Sequence, residues 1–205
     1  MFIELTDHLR CTADHDEQFL VLLPEMMEGR RVTRGNLGCP VCGRVVPIVE
    51  GVADFGGDTP AVGTTVLTAE AIASLIGLEG PGGYLALAGA AGSLAPALAT
   101  LLPGIRFALV NPPADVADST EASVLRAHRS PLKARSMRGV VVAGDHAGRG
   151  DWLAGLIDAV LPGNRIVAEG APPEREGLTT LAEGAGVWVG RVAGPPPNVR
   201  RSPGA

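Results

Sequence analysis

Aromatic side chains are scarce. Phe, Trp and Tyr make up 3% of the 205 residues, so a core must be assembled from Ala, Val, Leu and Ile, with close Gly and Ala contacts between elements. That composition suits helices stacked on a sheet better than an aromatic-rich barrel. A basic excess is missing as well. The formal charge is −5, whereas a surface that tracks phosphates needs surplus Lys and Arg, so nucleic acid is not expected as a partner. Charged residues reach only 19% and the mean hydropathy is +0.23, which excludes a disordered chain. The Gly residues show no collagen-like period, and there is no internal repeat. The length allows one full core and one small accessory module, but not two enzyme-sized domains.

Nothing in Met1-Phe2-Ile3-Glu4-Leu5-Thr6-Asp7 has the basic and apolar character of a secretory leader. Three cysteines cannot all pair, so reduced thiols and a cytoplasmic location are expected. Gly80 to Ile105 carries no charged side chain and is nominally long enough to span a bilayer. Pro81, Pro96 and Pro103, with Gly82, Gly83, Gly89, Gly92 and Gly104, break that run. A buried strand, a glycine turn and a buried helix account for it better, and no membrane is expected.

Composition changes near residue 57. Met1 to Phe55 holds five Arg against nine acidic residues, so the acidity is concentrated at the front. The sequence predicts an N-terminal unit over 1–56, a connector over 57–64, an α/β unit over 65–193 and a solvated tail over 194–205. In the α/β unit a helix is expected over Ala69 to Gly77, N-capped by Thr68. Strands are expected at Tyr84–Ala88, Ile105–Val110, Val124–His128, Gly139–Ala143, Arg165–Ala168 and Val187–Val192. Helices are expected at Ser93–Leu102, Trp152–Leu161 and Leu178–Glu183. Six strands alternating with helices predict a Rossmann-like, doubly wound, mostly parallel sheet.

Cys39-Pro40-Val41-Cys42-Gly43 is the strongest chemical signal. Two thiols separated by two residues in a tight turn aim both sulfurs at one point, as tetrahedral zinc requires. Cys11 supplies a third thiolate. The fourth position lies between His15 and Asp14. Neutral imidazole suits borderline-soft zinc beside three thiolates, so the expected set is Cys11, His15, Cys39 and Cys42. The alternative is a pair of buried thiols or a redox pair. A redox motif belongs at a strand-to-helix turn, whereas the β-like stretch Arg44-Val45-Val46-Pro47-Ile48-Val49 follows here. A metal would also help a short front unit to fold.

Leu9-Arg10-Cys11, Gly38-Cys39-Pro40-Val41-Cys42-Gly43-Arg44 and Pro47-Ile48-Val49-Glu50-Gly51-Val52 resemble the zinc-ribbon family of small methyltransferase-activator subunits. The resemblance covers most of residues 5–55. It departs at the first knuckle, where Asp14-His15 replaces the second Cys, and at Val46 and Glu50. The later region resembles a class I S-adenosylmethionine-dependent methyltransferase. Pro81-Gly82-Gly83-Tyr84 through Gly92-Ser93 matches the first strand and glycine loop, Ser130-Pro131-Leu132 through Val142 the approach to the fourth strand, and Leu161-Pro162-Gly163-Asn164-Arg165 the turn into the fifth.

That resemblance implies S-adenosylmethionine at Gly89 and Gly92, with Asn111 at the ribose position and Asp145 at the carboxyl edge of the sheet. It also exposes a departure. Two acidic residues of the family are replaced by Ala86 and Asn111, and Ala offers the methionine ammonium no acceptor. No catalytic residue stands out. Asn111-Pro112-Pro113 resembles an amine-positioning motif of amino-methyltransferases, but it follows the second strand and lacks the aromatic. Asp145-His146 are adjacent and so expected to point apart. His8 and His128 have no partner, and Trp152 and Trp188 are expected in the core. Two functions therefore stand side by side: a zinc-binding methyltransferase with an unknown acceptor, or a catalytically degenerate scaffold of that fold. In the second, the ribbon docks a protein partner. Self-association stays open.

Overall fold

The computed structural model describes residues 1–57 and 62–194. Residues 58–61 of the expected connector, and the expected tail from residue 195 on, lie outside the described residues. The chain opens with a 3-10 turn, Ile3–His8, followed by strands β1 (Val21–Glu28), β2 (Arg31–Gly38), β3 (Val45–Val49) and β4 (Val52–Asp54). Helix α1 (Ala69–Ile76), β5 (Tyr84–Gly89), α2 (Ala95–Leu101), β6 (Arg106–Val110), β7 (Ala122–Arg126) and β8 (Met137–Ala143) come next. Helix α3 (Gly150–Ala159), β9 (Val160–Glu169), β10 (Leu178–Gly184) and β11 (Val187–Val192) complete it.

Among the described residues, eleven strands form one sheet in the order β1-β2-β3-β4-β7-β6-β5-β8-β9-β11-β10. Strands β4, β7, β6, β5, β8 and β9 run parallel, and antiparallel hairpins close both ends. Counted from β5, the central order is 3-2-1-4-5, that of a doubly wound sheet, with the antiparallel pair β11 and β10 added beyond it. The expected α/β class is therefore present, with seven strands in the later region rather than six. The front strands continue the same sheet, because Ala53 and Asp54 pair with Leu125 and Arg126.

Alternation within β5 shows how both faces are filled. Leu85 and Leu87 face α1 and α2, packing in one cluster with Ile72, Ile76 and Leu98. Tyr84, Ala86 and Ala88 share the opposite core with Leu5, Leu9, Trp152, Leu156 and Trp188. Burial on both sides is what makes the central strands almost continuously apolar. The N-terminal segment takes part in covering that second face: Phe2 N donates to Ser123 Oγ at 2.9 Å and Arg10 N to the Pro131 carbonyl at 2.8 Å.

Helix α1 forms as the sequence predicts. Thr68 Oγ1 accepts from Ala71 N, and Gly77 ends the helix at φ 63, a conformation costly for other residues. Four expectations need correction, one being the helix expected at 152–161, which runs over Gly150–Ala159 and leaves its last two positions to β9. Leu178–Glu183 is not a helix but the core of β10, paired to β11 at the sheet edge. The expected helix at 93–102 begins at Ala95, after a 3-10 turn over Ala90–Leu94. The strand expected at 124–128 lies at Ala122–Arg126, its register fixed by β6. The Gly80 to Ile105 run is divided among β5, the 3-10 turn and α2, and among the described residues no helix is long and apolar enough to cross a membrane.

Candidate functional site

Two loops build the metal-ligand cluster. In the first, Cys11 N donates to the Gln18 carbonyl at 3.0 Å and Ala13 N to Cys11 Sγ at 3.4 Å, so the turn wraps around the sulfur. In the second, between β2 and β3, Gly43 N donates to the Cys39 carbonyl at 3.0 Å and Gly43 adopts φ 72. That is the tight turn the glycine permits. Ligand atoms of Cys11, His15, Cys39 and Cys42 all lie within 4.8 Å of one another. Asp14 is exposed and outside the cluster, so the structure brings His15, not Asp14, to the three thiols.

The spacing can be tested against zinc chemistry. Bonds of ~2.3 Å to sulfur and ~2.0 Å to nitrogen in a tetrahedron place S···S about 3.8 Å apart and S···N about 3.5 Å. Cys11 Sγ and Cys42 Sγ are 3.7 Å apart, and Cys39 Sγ and His15 Nε2 are 3.5 Å apart. Nδ1 of His15 donates to the Asp16 carbonyl at 2.7 Å, so in the neutral ring Nδ1 carries the proton and Nε2 is bare toward the sulfurs. This is the outer hydrogen bond that orients a ligating imidazole. It is also the first cause of the raised His15 pKa.

The thiols differ among themselves. Burial is the main force that pushes Cys11 up to about 11. At Cys39 burial also pushes upward, but N–H groups of Cys42 and Val41 outweigh it and the pKa falls. Cys42 is lowered chiefly by the Arg44 N–H. Thiolate formation is thus favoured at the second knuckle, and a divalent cation would have to draw the proton from Cys11.

The second candidate region is the carboxyl edge of β5, β6 and β8, where the chain order reverses and ligands bind in sheets of this type. Gly89, Gly92, Asn111 and Asp145 are all near this edge. Gly89 ends β5 at φ 66, and a Cβ there would stand 2.7 Å from His146 Nδ1 and 2.5 Å from the Ala143 carbonyl. A Cβ on Gly92 would stand 2.5 Å from Pro112 Cβ. Asn111 is fully buried with φ 48. Its Nδ2 donates to the Ala127 carbonyl and its Oδ1 accepts from Ala127 N, both at 2.8 Å. The remaining Nδ2 proton is directed at His146 Nε2, 3.2 Å away, so that nitrogen must be the unprotonated one.

His146 is buried and edge-on to Trp152 at 5.2 Å between centroids. Burial is the main cause that lowers its pKa to about 4. Asp145 beside it is exposed, so the two point apart as expected. Glu169, at the end of β9, was not singled out by sequence reasoning. Its carboxylate accepts from Thr65 Oγ1, Val66 N and Gly144 N, each at 2.7 Å, and straps residues 65–66 across this edge. An isolated acidic residue in a strand carries no sequence signal for such a role.

Fold and site together define an α/β protein with a mixed, mostly parallel sheet and a clustered set of three cysteines and a histidine. No protein-family model and no curated protein matches the chain. Among solved structures it is similar to a complex of the Haloferax volcanii Trm112 methyltransferase activator with a putative methyltransferase, at 20% identity and a TM-score of 0.41 over 49% of this chain and 50% of that one. It is also similar to the antibiotic-resistance methyltransferase Kmr, at 13% identity and a TM-score of 0.42, over 67% of this chain and 99% of that chain. A third is geranyl diphosphate C-methyltransferase from Streptomyces coelicolor A3(2) with Mg2+, geranyl diphosphate and S-adenosyl-L-homocysteine, at 18% identity and a TM-score of 0.38, over 49% of this chain and 43% of that one. The chain spans about half or less of the first structures it matches, 50% and 43% of their lengths.

Proposed function

We propose that this chain is a catalytically degenerate, methyltransferase-like scaffold, with a structural zinc ion held by Cys11, His15, Cys39 and Cys42. One observation carries the first half: Asn111 and His146 are both fully buried and 3.2 Å apart at the switch point of the sheet. Asn111 has spent both ends of its amide on Ala127, and His146 occupies the space beside Gly89, the residue the cofactor would approach, where a Cβ would stand 2.7 Å from its Nδ1. Ala86 sits fully buried in the core and offers no acceptor. The distances of 3.7 and 3.5 Å among ligand atoms support the zinc assignment. In this reading the ribbon extends the sheet through β4 and presents a surface to a protein partner.

Active methyl transfer from S-adenosylmethionine is the second reading. It is favoured by the doubly wound strand order and by Gly89 at the end of β5 with φ 66, the shape of a glycine turn that lets backbone approach a ligand. Calorimetric titration of the full chain with S-adenosylmethionine, and with S-adenosylhomocysteine, separates the two. The scaffold reading expects a flat trace with both. Saturable binding to either restores the enzyme.

A further inference from the structure

We infer that the outer face of the ribbon β1-β2-β3 is a docking surface for a second copy of this chain, packed face to face about a two-fold axis. The inference takes the ribbon as the docking part, as the scaffold reading does, and names its partner; it needs neither the metal nor the cofactor edge. A sheet solvated on one side alternates apolar and polar residues. These strands do not. Leu22, Leu37, Val46 and Ile48 pack into the core. The intervening positions are apolar too: Phe19, Val21 and Leu23 on the first strand and its approach, and Val45, Pro47 and Val49 on the third. Five of these six are 43–60% exposed, and Pro47 is exposed as well.

Register gathers these side chains into one patch. Gly38 lies between Val21 and Val45, Asn36 between Leu23 and Pro47, and Arg34 opposite Val49. Directly opposed residues share a face, so the apolar side chains of β1 and β3 flank a central row on β2. An added Cβ on Gly38 would meet nothing closer than the Val21 carbonyl at 4.0 Å, which leaves a shallow furrow between Val21 and Val45. Val49 is paired with Val52, whose side chain packs with the cluster under α1 and α2. The patch therefore continues the side of the sheet that those helices cover. No residue of β1, β2 or β3 belongs to that cluster. Among the described residues the helical layer stops short of the ribbon and leaves apolar sheet bare beyond it.

Area and charge select the occupant. Six apolar residues this exposed present on the order of 500 Å², and the polar residues among them bring each copy near the ~600 Å² that one partner gives to a small stable interface. A second identical face supplies the other half. Glu25 accepts from Asn36 Nδ2 at 3.2 Å, and Arg34 is paired with Met26 beside it, so both signs of charge lie at this face. Neither forms an ion pair among the described residues. A two-fold axis can set Arg34 of each copy toward Glu25 of the other, the self-complementary arrangement of an isologous interface. Pairing along the free edge of β1 is disfavoured instead, because Pro24 has no N–H and the register is broken between Pro24 and Met27.

Sedimentation velocity on the full chain over ~1–200 μM tests this. A dimer that builds with concentration is expected. Leu23→Glu should weaken it about tenfold or more, while circular dichroism and metal content stay those of the parent. Arg34→Glu and Glu25→Arg should each weaken association, and the double exchange should recover most of it. A monomer throughout the range would assign the face to a different protein and overturn the proposal. A dimer indifferent to Leu23→Glu, or one that the double exchange fails to restore, would overturn it equally. None of these results bears on the S-adenosylmethionine titration, by which the scaffold reading stands or fails separately.

Discussion

His146 is fully buried at the carboxyl edge of the central sheet, 3.2 Å from the Asn111 amide and edge-on to Trp152. An imidazole sealed between Asn111 and Trp152 is held neutral, because burial disfavours the charged ring and lowers its pKa to about 4. In the unfolded chain the same ring titrates near ~6.5. The unfolded state therefore binds a proton first as pH falls, and folding stability drops between about pH 6.5 and 4, by up to roughly 3 kcal/mol. Above that window the contribution is fully present. Chemical denaturation across the range checks it: His146→Gln should flatten the slope, and an unchanged slope would show that His146 is not the titrating group. Asn111 at φ 48 belongs to the same arrangement, since Asn tolerates the left-handed region better than most residues.

At the scale of the element, the two knuckles are local turns that the proposed zinc ion would tie together. Protein purified without added zinc should contain about one equivalent by metal analysis. Cys39→Ser should lose it and cost at least ~2 kcal/mol of stability, and a chelator should do the same to the parent. A variant that keeps both metal and stability would refute the ligand set. These knuckles were legible in the sequence because the Cys-Pro-Val-Cys-Gly turn is dictated within five residues. Helix α1 was legible for the same reason, with its Thr68 cap and Gly77 stop. Strand β10 was not. Leu178 and Leu181, three apart, imitate a helical face, and the strand is largely exposed, so no alternation marks it. Pairing with β11 overrides the local preference.

Across the whole molecule, the front unit and the α/β region share one sheet and one core, which composition alone divides near residue 57. Asp118, 1% exposed in the loop after β6, pairs with the Arg31 guanidinium on β2 and with the Met1 ammonium 3.1 Å away. Removing one partner of a buried pair leaves the other charge uncompensated. Asp118→Ala should therefore destabilise the whole chain by about 3 kcal/mol in urea denaturation, in one cooperative transition. A first transition confined to residues 1–55, with the remainder unfolding at the parental midpoint, would show instead that the two regions are energetically separate.

Local chemistry, carried by a few neighbouring residues, determined the knuckle turns, the cap and stop of α1, and the apolar strands of the central sheet. Each depends on contacts within a handful of positions, so the sequence by itself contains the answer. Ligand chemistry favoured His15 over Asp14, and three-dimensional packing brought it to the thiols; packing alone decided that the front strands continue the sheet through β4. It also decided that His146 meets the Asn111 amide at the carboxyl edge of the sheet, and that Arg10 reaches the Ser130 carbonyl, 120 positions away. Those outcomes depend on which backbones pair and which side chains are left without a partner, and neither is fixed until the chain has closed on itself.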